Sequence, residues 1–366
     1  MRSYTWPQAA VWETTLACDM RCRHCGSYAG RARAEELPTR VTLDLCDQLI
    51  DIGCSRVILS GGETFLREDW EEIATRLLRG RCEVGIISNG LMLGTGSALL
   101  DRLTSVRLES GEITVGISLD GLEETHDSIR GMPGSFRAAL RAVDLLMERS
   151  IAVVVLTTVN RMNLLDLLPL RDEVIYPRRP YAWQVQTSNY YGRMRAHPEW
   201  VLADEDYMEL AEILAESRRL RRSEPRTDPA DCIGYYGILE GDLRETPWNG
   251  CQAGLRCVGI QSNGNVKGCL SLIDDRFVEG NIRERSLLEI WDTPGAFAYN
   301  READPGRLEG LCAGCEHGRK CHGGCRSSAH SHTGSLYSAP YCLYGFQRAR
   351  PSPSLAGVTG CEPAIQ

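Results

Sequence analysis

A chain of 366 residues, 43% hydrophobic and 25% charged, is ordinary for a soluble globular protein and has ample core for one large barrel or two domains. Its formal net charge of -8, spread along the length, excludes a general binder of nucleic acid or of an anionic membrane. With no run of about eighteen apolar residues and no signal-peptide segment at the start, the expected compartment is the cytoplasm, where sixteen cysteines in clustered spacings belong to metal or redox centres rather than disulfides.

From residue 10 to about 190, short β-branched runs alternate with helical patterns, the signature of repeated βα units around a parallel sheet. Six strands are expected, Ala10 to Thr15, Arg56 to Ser60, Cys82 to Ser88, Ile113 to Ser118, Ile151 to Thr158 and Ala182 to Gln186, most of them apolar enough to be covered on both faces. Leu45, Cys46, Leu49 and Ile50 share a helical face, as do Phe136, Ala139, Leu140, Val143, Leu146 and Met147. Tyr207, Leu210, Ala211 and Leu214 mark a further helix whose basic end, Arg218 to Arg222, reads as solvated, with docking of an acidic partner as the sharper alternative. The expected division is a barrel over 1–222, a bridging segment over 223–245, a cysteine-rich domain over 246–349 with metal centres for a core, and a loose tail over 350–366.

The chemistry begins after the first strand. Cys18, Cys22 and Cys25 stand at C-x3-C-x2-C spacing, and three thiolates on one tight loop suit three irons of a cubane cluster, leaving the fourth iron open to a substrate or cofactor. A zinc knuckle or buried structural thiols are the alternatives, although zinc wants four closed ligands and only His24 stands near. The second strand runs into Gly61-Gly62-Glu63, where glycines admit a ligand to the backbone and the carboxylate receives an ammonium group; alone, the triplet is equally a plain turn. Nine of the sixteen cysteines lie from Cys251 to Cys361, including a C-x2-C-x5-C-x3-C run from Cys312 to Cys325, and zinc ribbons explain any two pairs of them. Cys46 and Cys82 read as ordinary buried thiols, with Cys54, Cys232 and Cys361 also left over, and His322, His330 and His332 as solvent-facing. On the sixth strand Gln184 and Gln186 share a face that points into the barrel, and Trp183 takes the other.

Together the three cysteines and Gly61-Gly62-Glu63 resemble the radical S-adenosylmethionine (SAM) superfamily, a likeness that extends to Ser88-Asn89-Gly90 and Ile117-Ser118-Leu119-Asp120-Gly121. The resemblance implies an α/β fold with a partial (β/α)6 barrel and a catalytic [4Fe–4S] cluster on Cys18, Cys22 and Cys25. It also implies SAM contacts from Gly61, Gly62 and Glu63 to the amino group, from Ser118, and from Arg130 to the carboxylate. His24 stands where the family often has an aromatic near adenine.

The later cysteines look like the family's SPASM extension, which holds two auxiliary [4Fe–4S] clusters and so makes three in all. By position Cys251, Cys257, Cys269 and Cys325 match the first auxiliary site, and Cys312, Cys315, Cys321 and Cys342 the second. The resemblance further implies reductive cleavage of SAM, hydrogen abstraction by the 5′-deoxyadenosyl radical and, with two further clusters at hand, net oxidation. SPASM proteins most often act on ribosomally made peptides, so the expected activity is that of an oxidoreductase maturing a precursor peptide through a C–S, C–C or C–O cross-link. The implied partners are that peptide and an electron donor such as flavodoxin or ferredoxin. Because the barrel begins by about residue 10, leaving no room for a winged-helix recognition domain, either a separate recognition protein or the barrel and SPASM surfaces capture the peptide. One alternative is an anaerobic sulfatase-maturing enzyme forming formylglycine; Leu270 follows Cys269 where that family has an aspartate, and Asp274 and Asp275 are distant replacements. Another is a non-catalytic iron–sulfur or zinc protein, which leaves Gly61-Gly62-Glu63 unexplained.

Overall fold

The structure, a computed structural model, describes residues 6–220 and 225–349. All six expected strands form, no end displaced by more than one residue: β1 (Ala9–Thr15), β2 (Arg56–Gly61), β3 (Glu83–Ser88), β4 (Ile113–Ser118), β5 (Ala152–Val159) and β6 (Ala182–Thr187). They pair in parallel and in sequence order, with helices such as Thr39–Asp51, Trp70–Arg79 and Ser135–Glu148 as crossovers. Period-two alternation separates the faces of the sheet. Trp12, Leu59, Ile86, Val115, Val155 and Trp183 are completely buried in the main core, while Ile58, Ile87, Ser118, Leu156, Gln184 and Gln186 form a half-buried opposite face. Trp183 donates its indole N–H to Thr157 Oγ1 at 2.9 Å, so the largest side chain of β6 is buried with its one polar atom satisfied.

The sheet does not stop at six strands. β7 (Arg226–Pro229) pairs in parallel with β6, and at the other edge β8 (Cys257–Ile260) pairs in parallel with β1, followed by the antiparallel β9 (Asn265–Lys267) and β10 (Gly280–Asn281). One ten-stranded sheet therefore runs through both halves of the chain. The expectation of a cysteine-rich half cored by metal is corrected for its first part: Val258, Ile260, Val266, Ile290, Trp291 and Phe297 join the barrel's own core. Apolar side chains thin out only later in the chain, where Ala329, Tyr337 and Ala339 are buried and Leu343 and Phe346 rejoin the main core.

Arg218 is a second correction. Rather than facing solvent it is 8% exposed, its Nη1 donating to the Thr227 carbonyl at 2.8 Å and its Nε to the Asp242 carbonyl at 2.9 Å, so it ties the helix Asp204–Arg219 to β7 and the bridging segment. Buried carbonyls at the end of a short edge strand need donors, and an arginine fork supplies several. Arg221, Arg222, the tail 350–366 and Cys361 lie outside the described residues.

Candidate active site

The loop after β1 carries Cys18, Cys22 and Cys25 and is closed at Gly30, where Cys18 N donates to Gly30 O at 3.4 Å and Gly30 N to Leu16 O at 2.9 Å. Arg21 folds back on it, Nη1 reaching the Cys18 and Met20 carbonyls at 2.9 and 3.1 Å. A second arginine braces the loop from outside. Arg193, in the turn Gly192–Ala196 beyond β6, donates its backbone N–H to the Cys25 carbonyl (3.0 Å), Nε to that of Cys22 (2.7 Å) and Nη1 to that of Ala29 (2.9 Å). This approach requires Gly192, at φ 54°, because a Cβ there would lie 2.4 Å from the Cys25 oxygen. Burial pushes the Cys18 thiol up to about 12 and raises that of Cys22, so both stay protonated at neutral pH until a metal displaces the proton.

The Gly61-Gly62-Glu63 ledge lies against the start of the same loop. Gly62 N donates to Thr15 O at 2.8 Å and Glu63 N to Ala17 O at 2.7 Å, and a Cβ on Gly61 or Gly62 would stand 2.1 or 2.0 Å from those two oxygens. The glycines thus serve backbone packing as well as any ligand. Glu63 is 1% exposed and its carboxylate accepts from Phe65 N (3.3 Å) and Asn89 N (2.8 Å); burial outweighs those donors and pushes its pKa up to about 7. Asn89, at the end of β3, reaches back to the cysteine loop through Nδ2 to Asp19 Oδ1 at 2.6 Å.

At the end of β4 the completely buried Asp120 gathers the neighbouring residues. Its Oδ2 lies 2.6 Å from Arg130 Nη2 and 3.2 Å from His24 Nε2, and its Oδ1 accepts from Thr158 N at 2.9 Å. Burial alone would raise this carboxyl, but Arg130 and His24 hold it well below the usual range. Arg130 Nη1 is also 3.8 Å from Cys22 Sγ, so the arginine bridges a carboxylate and a thiol of the loop. His24 Nδ1 is buried without a partner, a polar atom left over at the edge of the thiol loop. Ser118 lies beside Leu156 on the half-buried inner face, which continues through Thr158, Gln184 and Gln186, with Gln186 Nε2 donating to Thr158 Oγ1 at 3.0 Å.

The remaining thiols fall into two groups. Cys312, Cys315, Cys321 and Cys342 line one cavity together with Tyr235, His317, Tyr341 and Tyr344. The backbone N–H groups of Ala339 and Gly345 donate to Cys312 Sγ (3.4 Å) and Cys342 Sγ (3.3 Å). Cys325 is not in that cavity: with Cys251, Cys257 and Cys269 it forms the second group, in which burial raises the Cys257, Cys269 and Cys325 thiols and Cys251 adds like-charge repulsion to each. Lys267, completely buried, fixes the loop after Cys269 by donating Nζ to the Leu272, Ile273 and Asp274 carbonyls at 3.2, 2.8 and 3.1 Å. That loop touches the first one, since a Cβ on Gly26 would be 3.9 Å from both Ile273 Cδ1 and Tyr191 Cβ.

Two donor sets made of sulfur alone, backbone N–H groups aimed at the sulfurs and an orphaned histidine nitrogen at the three-thiol loop fit iron–sulfur clusters and a polar cofactor on the loop. No described helix is long and apolar enough to cross a membrane. Cys46, Cys54 and Cys82 are buried, unpaired thiols in the core. The expected solvent-facing histidines are corrected: His330 is buried between Tyr191, Arg276 and Phe277, His332 Nδ1 lies 2.9 Å from the Ser328 carbonyl, and His322 is half-buried. Spacing drew no attention to Arg193 or Lys267, and Asp120 was noted only as part of Ile117-Ser118-Leu119-Asp120-Gly121, without a role; the available signal for Arg193 was a glycine beyond a strand.

Residues 12–169 match the sequence model of the radical SAM superfamily, and residues 251–316 that of SPASM, an iron–sulfur cluster-binding domain. An Fe-coproporphyrin III synthase of Methanosarcina barkeri is 30% identical over 91% of this chain and 87% of its own. Mycofactocin maturase MftC of Mycobacterium ulcerans is 29% identical over 93% of this chain and 89% of its own. The crystal structure of Streptococcus suis SuiB bound to precursor peptide SuiA superposes with a TM-score of 0.73 at 16% identity, covering 93% of this chain and 76% of that one, a likeness of fold.

Proposed function

The chain belongs to the radical SAM superfamily and carries its SPASM extension, and from that premise we propose that it is a peptide maturase that oxidises a ribosomally made precursor, installing a C–S, C–C or C–O cross-link. As a member of that superfamily it uses SAM and a [4Fe–4S] cluster, and its SPASM domain binds iron–sulfur clusters. In our reading Cys18, Cys22 and Cys25 hold the first cluster, and the two quartets hold one each. When bound, SAM supplies a 5′-deoxyadenosyl radical that takes one hydrogen atom from the substrate.

The chain's own residues do the positioning. Arg193 and Arg21 fix the thiol loop by its carbonyls, and the Gly61–Glu63 ledge, Ser118 and His24 offer seats for the cofactor's amino and adenosyl parts. Arg130, already paired with Asp120, serves Cys22 more directly than a cofactor carboxylate. Thr158, Gln184 and Gln186 give the substrate a polar wall on the inner face. The observation that supports the reading is the proximity of two loops: Ile273, in the loop after Cys269, lies near Gly26 of the Cys18–Cys25 loop, so that in this reading an all-sulfur site neighbours the place where a substrate radical arises. A cluster held there by Cys251, Cys257, Cys269 and Cys325 would supply an acceptor for one electron, so that abstraction of a hydrogen atom followed by loss of an electron and a proton would amount to a two-electron oxidation.

The kinship with the maturase MftC supports a peptide substrate. The formylglycine alternative gains nothing, since Asp274 is engaged with Arg276, accepting its backbone N–H at 3.0 Å and lying 3.1 Å from its Nε. A second reading, favoured by the 30% identical Fe-coproporphyrin III synthase, is oxidation of an iron tetrapyrrole. One experiment decides between them. Reconstituted protein is given SAM, reductant and either the peptide encoded beside its gene or an iron tetrapyrrole precursor of Fe-coproporphyrin III, and each is weighed by mass spectrometry. The peptide is expected to lose about two mass units, one pair of hydrogens, with the tetrapyrrole unchanged; the reverse pattern overturns the peptide reading.

A further inference from the structure

Between the two thiol quartets lies a cation that the proposed reaction does not use. Arg326 opens the helix Arg326–Thr333, directly after Cys325, and is 1% exposed. Its guanidinium is tied to the backbone around both quartets. Nε donates to Asn300 Oδ1 at 2.7 Å, and Asn300 Nδ2 donates at 2.7 Å to the carbonyl of Ala253, two residues beyond Cys251. Nη1 donates to the carbonyls of His322, next to Cys321, and of Leu336, at 2.5 and 2.6 Å. Nη2 is buried without a hydrogen-bond partner.

The other buried arginines show what is unusual here. Arg130 is paired with Asp120, Arg171 with Asp172 and Arg218 with Asp228. Among the described residues no carboxylate pairs with Arg326; its guanidinium carbon lies 4.8 Å from the centre of the Tyr337 ring. Three hydrogen bonds and this ring compensate part of the burial of the guanidinium, and a nearby anion would complete it. A cluster held by four thiolates is one: a dianion when oxidised and a trianion when reduced, with a reduction potential that depends on nearby charge.

We infer that Arg326 is the shared counter-charge of the two auxiliary iron–sulfur sites, stabilising their reduced forms so that they accept the electron released by an oxidised substrate. Its fixed charge acts on both sites, while its hydrogen bonds to Asn300 and His322 hold the loops of the two quartets in register. The inference rests on the reading that each quartet holds a cluster, and the two can fail separately.

The test is a redox titration followed by electron paramagnetic resonance on full-length protein reconstituted anaerobically with iron and sulfide, in a C18A/C22A/C25A background that leaves only the auxiliary sites. Iron content comes first: about eight irons per chain are expected for two cubanes, and about four or fewer would overturn the cluster reading itself. With both clusters present, Arg326→Gln is expected to shift both reduction equilibria at least tenfold toward the oxidised form, a fall of about 59 mV for a one-electron couple, and Arg326→Lys to keep most of the parent potential. Unchanged potentials in Arg326→Gln, or a shift confined to one site, would overturn the shared role. If Arg326→Gln fails to load, Arg326→Lys decides, since a counter-charge needs only the charge: normal iron content in the lysine variant supports the inference, and loss of iron there contradicts it.

Discussion

The barrel and the last stretch of the cysteine-rich half solve the same problem, holding thiols in place, by different means. In the barrel the Cys18–Cys25 loop stands on strand ends backed by a closed apolar core, and is pinned by Arg21, Arg193, the Gly61–Glu63 ledge and Asn89. Around Cys312, Cys315, Cys321 and Cys342 there is no sheet, and the four thiols line a cavity walled by Tyr235, Tyr341, Tyr344 and His317. A site preorganised by hydrogen bonds keeps its shape without its metal, whereas one walled by thiols around a cavity draws much of its order from what fills the cavity.

The sharpest way to break this comparison is at the loop itself. Cys22→Ala should abolish SAM cleavage, read as 5′-deoxyadenosine by chromatography, while leaving the thermal unfolding of the barrel near that of the parent. Next in size is the buried pair behind it. Asp120→Ala leaves Arg130 and His24 without their anion and should destabilise the protein by about 3–5 kcal/mol in denaturant unfolding, because Asp120 is completely buried.

Glu63 gives a pH signature. Its pKa rises on folding from 4.5 to about 7, so between those values the native state binds more protons than the unfolded one and stability falls as pH rises through the window. The fall should approach about 3 kcal/mol, and unfolding measured from pH 4.5 to pH 7 should show it in the parent and not in Glu63→Gln. Arg193→Ala, which removes the Nε and Nη1 bonds to the Cys22 and Ala29 carbonyls, should cost about 1–2 kcal/mol and weaken SAM binding by calorimetry. No loss in either would show that Arg21, Asn89 and the ledge hold the loop without Arg193.

Much of this was legible from residue types and spacing. Six parallel strands follow from β-branched runs separated by helical periodicity, because a strand covered on both faces is written locally in its own residues. The glycines after β2 were visible too, although their packing against Thr15 and Ala17 was not, since the partner is a backbone carbonyl forty-odd residues away. What was hidden depends on distant partners. β8 is too short to announce that it will pair with β1, and nothing in Arg218 distinguishes a solvated helix end from a fork serving Thr227 and Asp242. The sorting of eight thiols into two quartets, which crosses the C-x2-C-x5-C-x3-C run by putting Cys321 in the cavity and Cys325 outside it, was expected from the resemblance and not from spacing, which alone would have kept the two together.

The most direct test of the account is the division of labour between its thiol sites. Wild-type protein and Cys315→Ala, each folded and reconstituted, are incubated with SAM, reductant and the precursor peptide, and 5′-deoxyadenosine and modified peptide are counted in the same sample. The account predicts that Cys315→Ala still cleaves SAM at a substantial fraction of the parent rate and yields little or no product. Equal loss of both, or product formed at the parent ratio to 5′-deoxyadenosine, would contradict it.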